Sequence, residues 1–200
     1  MSVLPVGLTI DQVVPLSKAC SGLLRHHLDA FSTLDPEGSG FVLVSELLVK
    51  LNEKSSFPVS REMVEFVVQN NDKKRIEMTG DRIRCSQGHS SGQLKDEAVY
   101  SEIVEPLTGV FHVTDRKSLK FIEQTGLNRM GRHKIHFAQE SHLLRKGKSV
   151  YIEVDMAKAM QAGIKFHRST NNVILSEGIN GIIPFEFLTV HYDLDDNKIV

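Results

Sequence analysis

Tryptophan is absent from this chain of 200 residues, and aromatic residues of all kinds make up only 6% of it. A broad platform for stacking the bases of a single strand needs more rings than that. Cysteine is nearly absent as well. Cys20 and Cys85 lack metal-ligand spacing and are too few to build a disulfide framework, so they read as small buried groups in a reducing compartment. No stretch approaches 18 consecutive apolar residues, and no membrane span is expected. Residues 1–10 carry neither a basic start nor a long apolar run, so secretion is not expected either. The expected location is intracellular: cytoplasmic, or nuclear if the source is eukaryotic. Nor is there an excess of charge. The formal net charge is −1, and residues 1–92 hold ten Lys/Arg against eleven Asp/Glu. Such a chain has no bulk field with which to hold a long polyanion.

What is present is concentrated in four short islands: Leu23-Leu24-Arg25-His26, Asn71-Asp72-Lys73-Lys74-Arg75, Gln87-Gly88-His89-Ser90 and Met130-Gly131-Arg132-His133-Lys134-Ile135-His136. Three of them set arginine or lysine beside histidine or small polar residues, and Gln87–Ser90 sets histidine beside small polar residues. In a near-neutral protein such clusters suit a compact anion at one site, and arginine suits phosphate because its planar fork bonds in a bidentate way.

The first half reads as mostly helical with a short sheet. Pro15 is placed at the first position of a helix running to about Phe31. Leu16, Cys20, Leu23, Leu24, His27, Leu28 and Phe31 fall in one apolar arc, which assigns His27 to packing and leaves Arg25 and His26 for a polar site. Phe41-Val42-Leu43 reads as a short strand, followed by a helix near Ser45–Leu51. Ser60 is an N-cap for a helix over Arg61–Gln69, with Val59 and Val64 spaced as a staple. Arg75–Met78 and Arg82–Cys85 alternate around Thr79-Gly80-Asp81 as a hairpin. Three helices and a hairpin point to a winged helix over 1–92, with residues 86–98 as linker. The second half, 98–200, reads as strands separated by turns and short helices. Its strands are expected at Val110–His112, at Val150–Asp155 (half-buried), and at Ile164–Arg168 with Val173–Ser176 around a turn at 169–172. Short helices are expected over Lys117–Thr125 and Met156–Gln161, with a last strand over Leu188–Tyr192.

Taken singly, the islands have ordinary readings. Lys73 and Arg75 fit helix C-terminal cations that complement the macrodipole, Gln87-Gly88-His89-Ser90 is a loop tetrapeptide, and His112-Val113-Thr114 ends a strand. His133 and His136 have no third ligand at sensible spacing, so no metal is expected. No P-loop, G-x-G-x-x-G or G-x-S-x-G occurs.

In order along the chain, however, the islands are joined by Leu16-Ser17-Lys18, Gly40-Phe41-Val42, Glu46-Leu47-Leu48, Ile83-Arg84, Gly126-Leu127, Val150–Asp155 and Phe166-x-Arg168-Ser169-x-Asn171-x-Val173-x-Leu175. This series resembles the tRNA 2′-phosphotransferase family. The resemblance implies an α+β fold, with the winged-helix lobe followed by a split-sheet lobe like that of NAD-dependent ADP-ribosyltransferases. It implies an enzyme that moves the splice-junction 2′-phosphate of ligated tRNA, or an internal 2′-phosphate of another RNA, to NAD as co-substrate. The products are 2′-OH RNA, nicotinamide and ADP-ribose 1″,2″-cyclic phosphate. The family's catalytic set matches Arg25, His26, Arg75 and Arg132, gathered from both halves around one phosphate, with Lys73 in support. His26 has two roles open to it, orienting the phosphate or protonating a leaving oxygen. Arg84, Gln87, His89 and Ser90 join Lys73 as expected phosphate or RNA contacts. The resemblance points to His112 and Thr114 for NAD, with Arg145, Arg168, Ser169 and Asn171 behind them. Two positions depart from the family pattern. Val113 stands where glycine is usual, so that a branched side chain is set where the nicotinamide ribose would approach, and Ala138 stands where serine is usual. Two rival classes remain: an ADP-ribosyltransferase that leaves a stable adduct on another phosphate or a protein, and a noncatalytic RNA-binding winged-helix protein, which leaves Arg132 without a task. A monomer is the default.

Overall fold

The computed structural model describes residues 3–71, 73–90, 92–139, 150–195 and 198–199. The chain divides into two compact units, Met1–Val99 and Tyr100–Val200, each with its own apolar core. The fold is α+β.

In the first unit, helix α1 spans Ile10–His26. It begins five residues before the expected start, because Thr9 makes a better cap than Pro15 makes a first residue: the Thr9 N–H donates to Gln12 Oε1 at 2.9 Å. Pro15 therefore lies inside the helix, where it forgoes one backbone bond on an exposed face. The helix ends at His26, short of Phe31, and a 3₁₀ turn covers Leu28–Ala30. His27 is the C-cap and is exposed, so the packing role expected of it is corrected. The rest of the arc is buried as read: Leu16, Cys20, Leu23, Leu24, Leu28 and Phe31.

Strand β1 (Val42–Leu43) leads into α2 (Val44–Lys54). Helix α3 covers Arg61–Gln69, and Ser60 Oγ accepts the Met63 N–H at 3.4 Å. Strands β2 (Ile76–Thr79) and β3 (Arg82–Cys85) form the expected hairpin, in which Gly80 takes φ +62°. The sheet is antiparallel in the order β1-β3-β2, and a short helix α4 (Asp96–Val99) follows. Residues 86–90 are not a loose linker, since Ser86, Gln87 and His89 are all buried.

In the second unit the elements are β4 (Ser101–Ile103), β5 (Val110–Thr114), α5 (Arg116–Thr125), β6 (Leu127–Asn128), β7 (Ile135–Gln139), β8 (Val150–Val154), α6 (Met156–Gln161), β9 (Phe166–Arg168), β10 (Ile174–Ser176), β11 (Ile182–Ile183), β12 (Leu188–Asp195) and β13 (Lys198–Ile199). Eight of these strands lie in the order β13-β12-β8-β5-β7-β10-β9-β4, and β6 pairs with β11. Strand β8 sits between β5 and β12, so four of its five residues are buried on both faces rather than alternating. The feature that makes a site is the meeting of β5 and β7. They pair only at Val110–Gln139 and Phe111–Ala138, and then part. Helix α5 begins directly after β5, where Asp115 accepts the Ser118 N–H at 2.8 Å. It ends at Gly126 (φ +79°), where a Cβ would fall 2.6 Å from the Ile183 carbonyl oxygen.

Candidate active site

The polar end of α1 is fixed by the 86–90 segment of the same unit. Arg25 Nε donates to the Gln87 carbonyl at 2.9 Å, and the Ser90 N–H donates to the Arg25 carbonyl at 3.0 Å. Between them Gly88 takes φ +87°, and a Cβ there would lie 3.2 Å from Arg25 Nε. Only glycine fits both demands. His26 Nδ1 is hydrogen-bonded to Ser90 Oγ at 2.9 Å.

The same segment holds the second basic island. The Ser86 N–H donates to the Arg75 carbonyl, and Ser86 Oγ donates to the Lys74 carbonyl, both at 2.9 Å. Lys74 adopts φ +44°, in a turn closed by Asn71: its carbonyl accepts the Lys74 N–H at 2.8 Å and its Oδ1 accepts the Lys73 N–H at 3.2 Å. Lys73 and Lys74 are exposed. Arg25 reaches the Cys85 sulphur with its charge and a hydrogen bond, and Arg75 reaches it with its charge. Burial nevertheless dominates there and pushes that thiol up to about 12, so no thiolate offsets the two guanidinium groups. Cys20 is likewise raised to about 12, by burial first and by Cys85 second, and both cysteines are free and buried. Among the described residues, buried Arg25 Nη2 has no hydrogen-bond partner. A buried, unspent guanidinium nitrogen is costly unless an anion arrives to meet it.

Three of the expected RNA contacts, Arg84, Gln87 and His89, are buried. Arg84, expected at the surface, is buried by hairpin register: Nε bonds Glu77 Oε1 at 2.8 Å, Nη1 donates to the Ser39 carbonyl at 2.9 Å, and the guanidinium covers the Phe41 ring at 4.5 Å. These contacts hold its guanidinium within the first unit. Gln87 holds Arg25 through its carbonyl, and His89 is only 2% exposed. Ser90 is exposed and acts on His26.

In the second unit, the parting of β5 and β7 opens a cleft of about 610 Å³ whose lining includes His112, Thr114, Asn128, Arg132 and His136. His112 Nδ1 bonds the His136 carbonyl at 3.0 Å, so the proton sits on Nδ1. Strand alternation puts Val113 on the opposite face, where it packs with Ala138 against Phe111 and Tyr151. The two departures from the family pattern thus occupy one small apolar cluster, and the Val113 side chain does not crowd the cleft.

Arg168, Ser169 and Asn171 are not among the cleft's lining residues. Arg168 Nη1 donates to Gln139 Oε1 at 3.4 Å, while Ser169 Oγ bonds Asn171 Oδ1 at 2.7 Å and accepts the Val173 N–H at 3.0 Å. These bonds build the β9–β10 turn. Arg145 lies outside the described residues. Sequence reading missed Phe121, Asn128 and Arg129 of the cleft wall, and named Met130 and Lys134 only as members of the fourth island, with no role. Lys134 is 3% exposed and pairs with Glu177 at 3.2 Å. Only its place beside Arg132 hinted at it.

A family model described as RNA 2′-phosphotransferase, Tpt1 / KptA family, matches residues 11–178. A Schizosaccharomyces pombe protein assigned as a tRNA 2′-phosphotransferase is 33% identical over 90% of this chain, which spans about half (51%) of that longer protein. Proteins of Nostoc punctiforme and Pseudomonas fluorescens, both assigned as RNA 2′-phosphotransferases, are 34% and 36% identical. The alignments cover 89% and 82% of this chain, and 97% and 91% of theirs. With a match of that extent spanning all four basic islands, the chain belongs to the RNA 2′-phosphotransferase family.

Proposed function

We propose that this protein transfers an internal 2′-phosphate from RNA, such as the splice junction of ligated tRNA, to NAD. The RNA 2′-phosphate attacks C1″ of the nicotinamide ribose and nicotinamide leaves. O2″ of the same ribose then attacks the phosphorus, releasing RNA with a free 2′-OH and ADP-ribose 1″,2″-cyclic phosphate. Arg25, His26, Arg75 and Arg132 form the catalytic set, and Lys73 supports it. The arginines place the phosphate for attack and neutralise its charge when it becomes the electrophile, each charge-assisted bond contributing roughly 1.5–3 kcal/mol. His26, oriented by Ser90, aligns the phosphate or protonates the departing oxygen.

The observation that carries this reading is the buried, unspent Nη2 of Arg25, on a guanidinium aimed by the Gln87 carbonyl. For NAD, the cleft of the second unit has the size usual for a small-molecule site, about 300–1,000 Å³. Its wall combines apolar Ile122, Leu127 and Ile135 with His112, Thr114 and Asn128, a mixture suited to a ring and ribose hydroxyls. The first unit's helices and β2–β3 hairpin, in the sheet order β1-β3-β2, support its assignment as a winged-helix lobe. The parting of β5 and β7 supports an ADP-ribosyltransferase-like second lobe.

The test is an RNA with an internal 2′-phosphate, incubated with and without NAD. The expected result is NAD-dependent loss of the phosphate, with cyclic phosphate released. A stable ADP-ribose adduct moves the chain to the ADP-ribosyltransferase class, and loss of the phosphate without NAD sinks the proposal. Arg25→Ala, His26→Ala, Arg75→Ala and Arg132→Ala are each expected to lower turnover by at least about 100-fold, with unchanged circular dichroism.

A further inference from the structure

Phe121 and Met130 line the cleft of the second unit, yet they are 64% and 81% exposed. One exposed apolar side chain carries no weight, but two lining the same cleft, left in water at a cost, call for a partner. Met130 is also strained. It takes φ +55°, a region that non-glycine residues seldom occupy, and Asn128 Oδ1 holds it there by accepting its N–H at 2.7 Å. Strain of this kind collects at ligand clamps. Arg129 and Arg132 belong to the same wall. A partner that answers both features has a flat ring and a phosphate, as a nucleotide does.

We infer that Phe121 and Met130 hold the base of the RNA nucleotide that bears the 2′-phosphate. The inference rests on the reaction proposed above, in which two nucleotides take part. RNA is favoured because Met130 is two residues from Arg132, which that reaction assigns to the phosphate. In RNA the base and the 2′-phosphate hang on adjacent carbons of one sugar. The adenine of NAD is separated from the reacting C1″ by two riboses and a pyrophosphate.

The test uses the full chain, Phe121→Ala and Met130→Ala, with short RNAs carrying an internal 2′-phosphate on a nucleotide that has its base or lacks it. Both side chains are exposed, so melting temperatures should not change. In filter binding without NAD, removing the base should weaken the wild-type complex by about tenfold. Each variant should weaken binding of the base-bearing RNA, measured without NAD, and leave binding of the abasic RNA unaffected. A raised KM for NAD with unaltered RNA binding would assign the pair to the adenine and overturn the inference, as would equal wild-type affinity for both RNAs. If the wild type prefers the base-bearing RNA but never consumes its phosphate with NAD, the proposed reaction fails and the base contact stands.

Discussion

Gly88 sets how well Arg25 is aimed. Its positive φ is a conformation that alanine enters only at a cost of about 1 kcal/mol, and the added Cβ would press on Arg25 Nε at 3.2 Å. Gly88→Ala should therefore lower the melting temperature by a few degrees and cut turnover by roughly tenfold or more, since misplacing a positioned group is expensive. Gly22→Ala supplies the control. Gly22 lies within α1, and an added Cβ there meets nothing within 4 Å, so stability should rise by up to about 1 kcal/mol with turnover unchanged. Turnover of Gly88→Ala equal to wild type would remove the link between this loop and Arg25. The polar position of Arg25 and His26 was legible in the helical period, but the device that fixes them was not. A backbone carbonyl 62 residues away leaves no mark in composition or spacing. The burial of Arg84 was illegible for the same reason: hairpin register places it against Glu77, and register is a property of the fold.

Glu46 shows how an element is anchored. It lies in the first turn of α2, and its carboxylate ties α2 to the segment before β1. Burial works to raise its pKa. Against that, the N–H and hydroxyl of Thr33 and Ser32 donate four hydrogen bonds at 2.6–3.1 Å and hold it at about 2, below the ordinary 4.5. A carboxyl depressed in the folded state stabilises fully above its unfolded pKa, and the contribution disappears as pH falls from 4.5 toward 2. Thermal melts of Glu46→Gln should thus lie below wild type near neutrality, by about 1–2 kcal/mol, and converge with it near pH 2. Parallel melting curves over that whole range would contradict the anchoring role. Elements with local signals were readable, as Ser60 at the start of α3 and Gly126 at the end of α5 both show. Pro15 was placed at the start of a helix, where proline is common, yet the Thr9–Gln12 pair starts α1 earlier. For β8, alternation suggested one wet face, but neighbours on both edges of a central strand bury it.

At the scale of the molecule, the α+β class and the two halves of the chain could be read from the change in periodicity near residue 98. The parting of β5 from β7 could not, since it depends on strand order rather than on any local pattern. Charge is the other whole-molecule property, and it bears on how RNA is held. A formal net charge of −1 gives little long-range attraction, and Arg84 is withdrawn into the first unit. If Arg25, Arg75 and Arg132 share the 2′-phosphate and Lys73 meets a second phosphate, about two phosphates are neutralised. The logarithm of the RNA association constant should then fall with the logarithm of salt concentration at a slope near −1.5, given roughly −0.7 per phosphate for single strands. Lys73→Ala should make that slope shallower by less than one unit and weaken RNAs of different sequence alike, because a phosphate contact carries no sequence information. A wild-type slope steeper than about −6 would require a longer track of cations than these residues provide. RNA would then be gripped along its backbone, and the compact-anion site inferred from four isolated basic islands would be the wrong description of how this protein finds its substrate.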